Sequence, residues 1–195
     1  MANADEPRRH SLVGFVHGGY GYLPSDIPGL TDISGSYKNI FNDGGTWDAQ
    51  LFYKYRILML GLHYSGFTAG SELTNSSDRI FTHYIAPQAG MLFPVYRQFS
   101  LSFNGGLGCL WYLNNSVLYE KDRKVTGSAF ALNLAARGIY NVTERIGISL
   151  QFMALGGSLQ KTKVHYHDED ITVKMKGPTF NFNRLAVSLG LKFSF

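Results

Sequence analysis

The nine residues Val187–Phe195, VSLGLKFSF, decide how this chain is read. Side chains of an extended strand alternate between two faces. Val187, Leu189, Leu191, Phe193 and Phe195 therefore fall on one side, and Ser188, Gly190, Lys192 and Ser194 on the other. A strand of this composition needs an apolar surround on one face only.

The same period recurs upstream. Trp47, Ala49, Leu51, Tyr53 and Tyr55 oppose Asp48, Gln50, Lys54 and Arg56, with Phe52 breaking the polar side. Leu58, Leu60, Leu62 and Tyr64 oppose Gly61, His63 and Ser65; Leu101, Phe103, Leu107, Cys109 and Trp111 oppose Ser102, Asn104, Gly106 and Gly108. Phe130, Leu132, Leu134, Ala136 and Tyr140 oppose Asn133, Ala135 and Arg137, and Ile146, Ile148, Leu150, Phe152 and Ala154 oppose Gly147, Ser149 and Gln151. A Gly-rich first strand over about 10–23 carries Leu12, Val16, Tyr20 and Tyr22 on its apolar face, with His17 opposite. Over 80–93 the apolar set is Phe81, Ile85, Ala89, Met91 and Phe93; Pro87 sits mid-strand, where it has no N–H for the ladder, and predicts a bulge. With 184–195 the count is eight.

The connections alternate as well. Those at 56–57, 94–98 and 141–145 are short, whereas 24–45, 70–79, 114–127 and 161–181 are long and rich in Gly, Asn, Ser, Asp and Lys. This pattern predicts an all-β fold, an eight-stranded antiparallel up-and-down transmembrane β-barrel. Residues 1–9 are then a short periplasmic N-terminal segment and 10–195 the barrel domain, with both termini periplasmic and the long loops extracellular.

Composition agrees with a membrane setting. Only 16% of residues are charged, against about 25% in typical soluble domains, while aromatics reach 14% and the chain has 22 glycines. No apolar run approaches the ~18 residues of a spanning helix. The start, MANADEPRRH, lacks the apolar core of a signal peptide and reads as a mature N-terminus with an added Met. One cysteine, Cys109, excludes an internal disulfide framework and a cysteine-based zinc site. The net charge of +4, without a basic cluster on a recognisable module, argues against nucleic acid.

A soluble lipid carrier would also alternate, with its apolar face inward. Three details turn that face outward. Aromatics cap both ends of the apolar stripes, Trp47, Trp111, Tyr20 and Tyr22 near the long loops and Tyr55, Phe93, Tyr140, Phe193 and Phe195 near the short turns, like two interfacial girdles. The opposite face mixes very small residues with isolated long polar ones, which suits a narrow interior. Lys and Glu are too few for a hydrated outer wall.

On these residues, and on the strand, turn and loop rhythm of nearly the whole chain, the sequence resembles the small eight-stranded outer-membrane β-barrel proteins of Gram-negative bacteria. The resemblance implies a place in the bacterial outer membrane among its lipid and lipopolysaccharide. It also implies that Leu191, Phe193 and Phe195 form a signal for the outer-membrane insertion machinery. Activity is not implied, because the class includes porin-like proteins, adhesins, lipid A enzymes and subunits of larger machines.

The interior of such a barrel is just wide enough for side chains to fill. Lys54, Arg56, Arg137, Arg184 and Lys192 are expected there, with Asp48 the one clear strand carboxylate and Gln50, Gln151, Asn104, Asn133, His17 and His63 around them. They read as a hydrogen-bonded polar plug; the sharper alternative is a basic lumen that binds or passes small anions.

His63 and Ser65, two apart on one face, invite a hydrolase reading, since a His can activate a hydroxyl. The same His-x-Ser spacing occurs in the lipid A deacylases of the outer membrane, and that resemblance implies His63 as base, Ser65 as nucleophile and Glu72 as orienting acid. The following Gly66-Phe67-Thr68 departs from that family's Asn-Ala-Gly, and the strand phase turns both groups to the lumen. In HYHDED, 165–170, His165, His167 and Asp168 are candidate ligands for a divalent cation, although the flanking Lys161, Lys163, Lys174 and Lys176 favour a charge-balanced hairpin. No cofactor is implied. The expectation is a structural or interaction protein whose loops 24–45 and 161–181 meet a protein partner or a surface. The alternatives are a narrow channel for small anionic or polar solutes and a lipid A or phospholipid hydrolase.

Overall fold

A computed structural model describes residues 10–24, 43–73, 76–118, 121–159, 161–166, 169–174 and 180–195. All regular structure in them is strand: β1 (His10–Tyr22), β2 (Asp43–Tyr55), β3 (Leu58–Leu73), β4 (Ser76–Tyr96), β5 (Phe99–Leu118), β6 (Lys121–Asn141), β7 (Ile146–Leu159), β8 (Lys161–Tyr166), β9 (Glu169–Lys174) and β10 (Phe180–Ser194). Each of β1 to β7 pairs antiparallel with its neighbour in sequence, and β10 joins β7 to β1, which closes an eight-stranded barrel. Closure runs from Tyr22↔Leu185 down to Val13↔Ser194, and beyond it the Phe195 N–H donates to Leu12 O at 2.9 Å. The terminal aromatic is therefore fastened into the seam by its backbone, while its side chain is 71% exposed.

The two extra strands extend the wall. Ala131 pairs with Gly157 in β7 and Gly127 with Thr162 in β8, so four steps along β6 meet five along the opposing chain. β8 thus pairs with β6 one residue out of the β7 register, and pairs in turn with β9.

Strand phase follows the alternation in the sequence, because a one-residue slip would put every apolar side chain on the wrong face. Leu60, Leu62, Leu132, Leu134 and Leu189 are exposed on the outer wall. Trp47, Trp111, Tyr20, Tyr22, Tyr55 and Tyr140 are exposed with them, and Phe193 is half-buried.

Four local expectations change. There is no bulge at Pro87: it stands opposite Leu62 on β3, and the β5 ladder keeps one register from Ile85↔Cys109 to Ala89↔Gly105. The irregularity lies instead at Pro94–Tyr96, beside the turn. The segments 70–79 and 114–127 are largely paired strand, as in Glu72↔Ser77 and Val117↔Asp122, because polar residues satisfy a ladder as well as apolar ones once a neighbour is in register. Arg56 is not luminal. It is exposed in the turn after β2, with φ 55°, and its guanidinium lies 5.6 Å from the Tyr55 ring.

The wall is consequently uneven. β1 and β2 meet at Tyr22↔Asp43, while β5 and β6 remain paired to Leu118↔Lys121.

Inside, three layers stack along the axis. Val13, Phe15, Phe52, Met59, Leu92 and Ile139 pack together toward the short turns. Phe67, Ile80, Tyr84, Leu110, Tyr112 and Leu155, with Leu23, pack toward the long-loop end. Between them lies a buried polar layer.

Candidate functional site in the barrel interior

The polar layer is built from inward positions of strands on opposite sides of the barrel. β2 contributes Asp48 and Gln50, β1 His17, β6 Arg137, and β7 Ser149 and Gln151, all of them buried. Alternation puts each on the inner face, and curvature of the closed sheet then brings residues more than a hundred positions apart into contact.

Asp48 is the hub. Its Oδ1 accepts from Gln50 Nε2 at 2.8 Å and from His17 Nδ1 at 3.1 Å, and its Oδ2 accepts from Gln151 Nε2 at 2.8 Å. A carboxylate is only an acceptor, so His17 carries a proton on Nδ1, and with a single ring proton Nε2 is left as an acceptor. His17 Nε2 then accepts from Ser149 Oγ at 2.9 Å.

Arg137 reaches the same carboxylate through amides. Its Nε donates to Gln151 Oε1 at 2.6 Å, its Nη2 to Gln50 Oε1, and its Nη1 to Ser102 Oγ at 3.2 Å. Each Gln accepts from the guanidinium and donates to Asp48, so charge is relayed across the barrel through two aligned amide dipoles. The guanidinium also lies 4.4 Å from the Phe15 ring centroid and 5.9 Å from that of Phe52. Contacts of this kind contribute about 2 kcal/mol when desolvated.

Arg184 sits apart from this relay. It is fully buried, its Nη2 donates to Ser65 Oγ at 2.6 Å, and its guanidinium carbon lies 5.6 Å from the Phe67 ring. Its Nε and Nη1 have no hydrogen-bond partner. Lys192 is nearer the short turns, where its Nζ donates to Asn141 Oδ1 at 2.7 Å; Lys54 is half-buried.

His63 and Ser65 are both fully buried, but Ser65 Oγ is held by Arg184 and donates to Trp47 O at 3.4 Å. Neither His63 nitrogen has a hydrogen-bond partner, and Nε2 lies 3.7 Å from Asp48 Oδ1. The structure thus does not bring this His and Ser together as base and nucleophile. It joins a different set, Ser149, His17 and Asp48, in the order of a Ser-His-Asp relay. That geometry is recognised by roles rather than position, and here each member is at most 3% exposed, with the His17 ring stacked at 12° on Phe15. The relay lies between the two apolar layers, where it orients His17 and anchors the carboxylate.

The side chains of Glu72 in β3 and His165 in β8 are outside the described part of the structure, as are residues His167 and Asp168 and the segment 1–9. Sequence reasoning missed Ser149 as a partner of His17, because 132 positions separate them and no local pattern links them. The apolar layers did leave a trace. Phe15, Phe52 and Phe67 are aromatics out of phase with the outer stripe, and all three point inward.

No protein-family model matches the chain, and no curated protein matches it. Among solved structures, it is similar to the crystal structure of a major outer-membrane protein from Thermus thermophilus, at 12% identity and a TM-score of 0.63 over 94% of this chain and 99% of that one. The crystal structure of Neisserial surface protein A (NspA) aligns at 13% identity and TM-score 0.57, covering 94% of this chain and 97% of that one. The solid-state NMR structure of the outer-membrane protein AlkL in lipid bilayers aligns at 8% identity and TM-score 0.52, over 100% and 94% of the two chains. At these identities the likeness is one of fold: this chain folds as a small eight-stranded outer-membrane β-barrel.

Proposed function

We propose that the chain is an integral barrel of a Gram-negative outer membrane that acts as a structural or interaction protein through its extracellular end. Its termini are periplasmic in this reading, and Leu191, Phe193 and Phe195 address it to the insertion machinery. The observation that carries the proposal is the filled interior: a hydrogen-bonded polar layer between two apolar layers, with Arg137, Asp48, Gln50 and Gln151 tied across the axis. A barrel filled in this way is a rigid support, and recognition concentrates in segments carried by such supports. The tall wall of β3 to β6, extended by β8 and β9, and the segment 25–42 that joins β1 to β2 in sequence are the surfaces offered to a partner or to lipopolysaccharide.

The test is gentle detergent extraction from the native membrane followed by mass spectrometry of what stays bound. A stoichiometric protein, lost when 25–42 is replaced by a short Gly-Ser linker, is the expected result. Isolation of the barrel alone, together with a unitary conductance in planar bilayers, would replace this reading with that of a narrow channel, which the surplus of basic groups in the interior favours.

A further inference from the structure

We propose that the barrel interior holds one small monovalent anion, bound by the guanidinium of Arg184. Between the apolar layers the described residues bury two guanidiniums, Arg137 and Arg184, and a single carboxylate, Asp48. Arginine does not deprotonate in proteins, and an ion taken out of water needs a partner. The carboxylate is committed: three donors hold it, and two of them, Gln50 and Gln151, also accept from Arg137. One positive charge is left over, and it is on Arg184.

Hydrogen bonding points to the same place. Arg184 makes one bond, to Ser65, and leaves Nε and Nη1 without acceptors although the residue is 0% exposed. Both groups are donors, so what is missing is an acceptor. Two steps along β3 from Ser65, on the same inner face, His63 is equally buried with neither ring nitrogen satisfied. Its Nε2 stands 3.7 Å from Asp48 Oδ1, so the one N–H of a neutral ring faces that carboxylate and His63 borders the site without donating to the ion. On the other side Asn133 and Arg184 both pair with Leu155, so they flank one β7 position, and Asn133 Nδ2 has only a 3.5 Å contact to Ala154 O. Arg184 and Asn133 thus offer donors from two strands.

The chemistry selects the ligand. One uncompensated charge calls for a monovalent anion, and the narrow bore of an eight-stranded barrel calls for a small one, of halide size. Such an ion balances the layer without any change in the relay between Arg137 and Asp48. The site is independent of what the extracellular end recognises.

Bromide substitution tests it. The full chain, refolded in detergent with bromide as the only small anion, is crystallised and measured at the bromine absorption edge. One anomalous peak is expected within hydrogen-bond distance of Arg184 Nε or Nη1, and it should vanish in Arg184→Gln. A second measurement needs no variant: the folded fraction at fixed denaturant should rise with halide concentration against gluconate at equal ionic strength, since a ligand of the folded state alone stabilises it by mass action. Ordered waters alone on Nε and Nη1, or a carboxylate from residues 25–42 seated on the guanidinium, would overturn the proposal, as would equal stability in halide and gluconate.

Discussion

Asp48 on β2 and Arg137 on β6 are joined across the barrel through Gln50 and Gln151, each of which accepts from the guanidinium and donates to the carboxylate. Removing one charge leaves the other buried without its counter-charge and strips one end of each Gln amide of its partner. Asp48→Asn or Arg137→Met alone should each destabilise the barrel by about 3–5 kcal/mol. The pair together should cost less than the sum of the singles. Urea unfolding in lipid vesicles, arranged as a double-mutant cycle, reads the coupling, and strictly additive costs would contradict the relay.

His17 lies directly over Gly190, where an added Cβ would come within 2.4 Å of the ring and 2.1 Å of Val16 O. Gly190→Ala should therefore push the imidazole off Asp48 and Ser149 and part the β1–β10 seam. A loss of about 2 kcal/mol is expected, against at most a few tenths for Gly18→Ala on β1, where the added group meets nothing within 4 Å. Equal effects of the two substitutions would show that the ring is free to move aside.

On the outer wall the Trp47 indole covers Gly66 of the neighbouring strand, its nearest atom 2.2 Å from where a Cβ would stand. Gly66→Val should displace the indole toward lipid, seen as a shift in tryptophan emission and in quenching by brominated lipid. Trp111, which is exposed on β5, provides the reference through a Trp111→Phe background. An unchanged spectrum would mean that Trp47 does not rest on Gly66 in the membrane.

Ser65 and Ser149, the serines set against His63 and His17, are enclosed. Ser65 is 0% and Ser149 1% exposed, and Ser65 Oγ accepts from Arg184. Neither should react with a fluorophosphonate probe while the barrel is folded, and His63→Ala should leave the lipid profile of the host membrane unchanged. Labelling of Ser65 that depends on His63 would restore the hydrolase reading.

The two apolar layers and the polar relay between them act as three closures in series. Wild-type protein should give no unitary conductance in planar bilayers, and Phe15→Ala/Phe52→Ala should stay silent because Arg137 still spans to Asp48. Adding Arg137→Ala together with Phe67→Ala, which thins the apolar layer at the long-loop end, should open a small pore. Conductance in the wild type would show that the layers part spontaneously.

What the sequence determined is whatever period two can encode. Strand number, the outward phase of Leu60, Leu132 and Leu189, the aromatic ends of the stripes and the inward assignment of Asp48, Arg137 and Arg184 follow from alternation, because each depends only on neighbours along one strand. Strand ends were less legible. Polar stretches such as 114–127 read as loop, yet they pair because the adjoining strand is already in register. Arg56 kept the parity of an inward residue but fell in a turn with φ 55°, where parity no longer applies. Partnership across the lumen was decided only by closure. His17 with Ser149, Arg137 with Gln50 and Arg184 with Ser65 are 132, 87 and 119 positions apart, and strand curvature and stagger, not spacing, bring them together. For the same reason the sequence pointed to His63 and Ser65 as a pair, and the folded barrel gave that serine to an arginine from the far end of the chain.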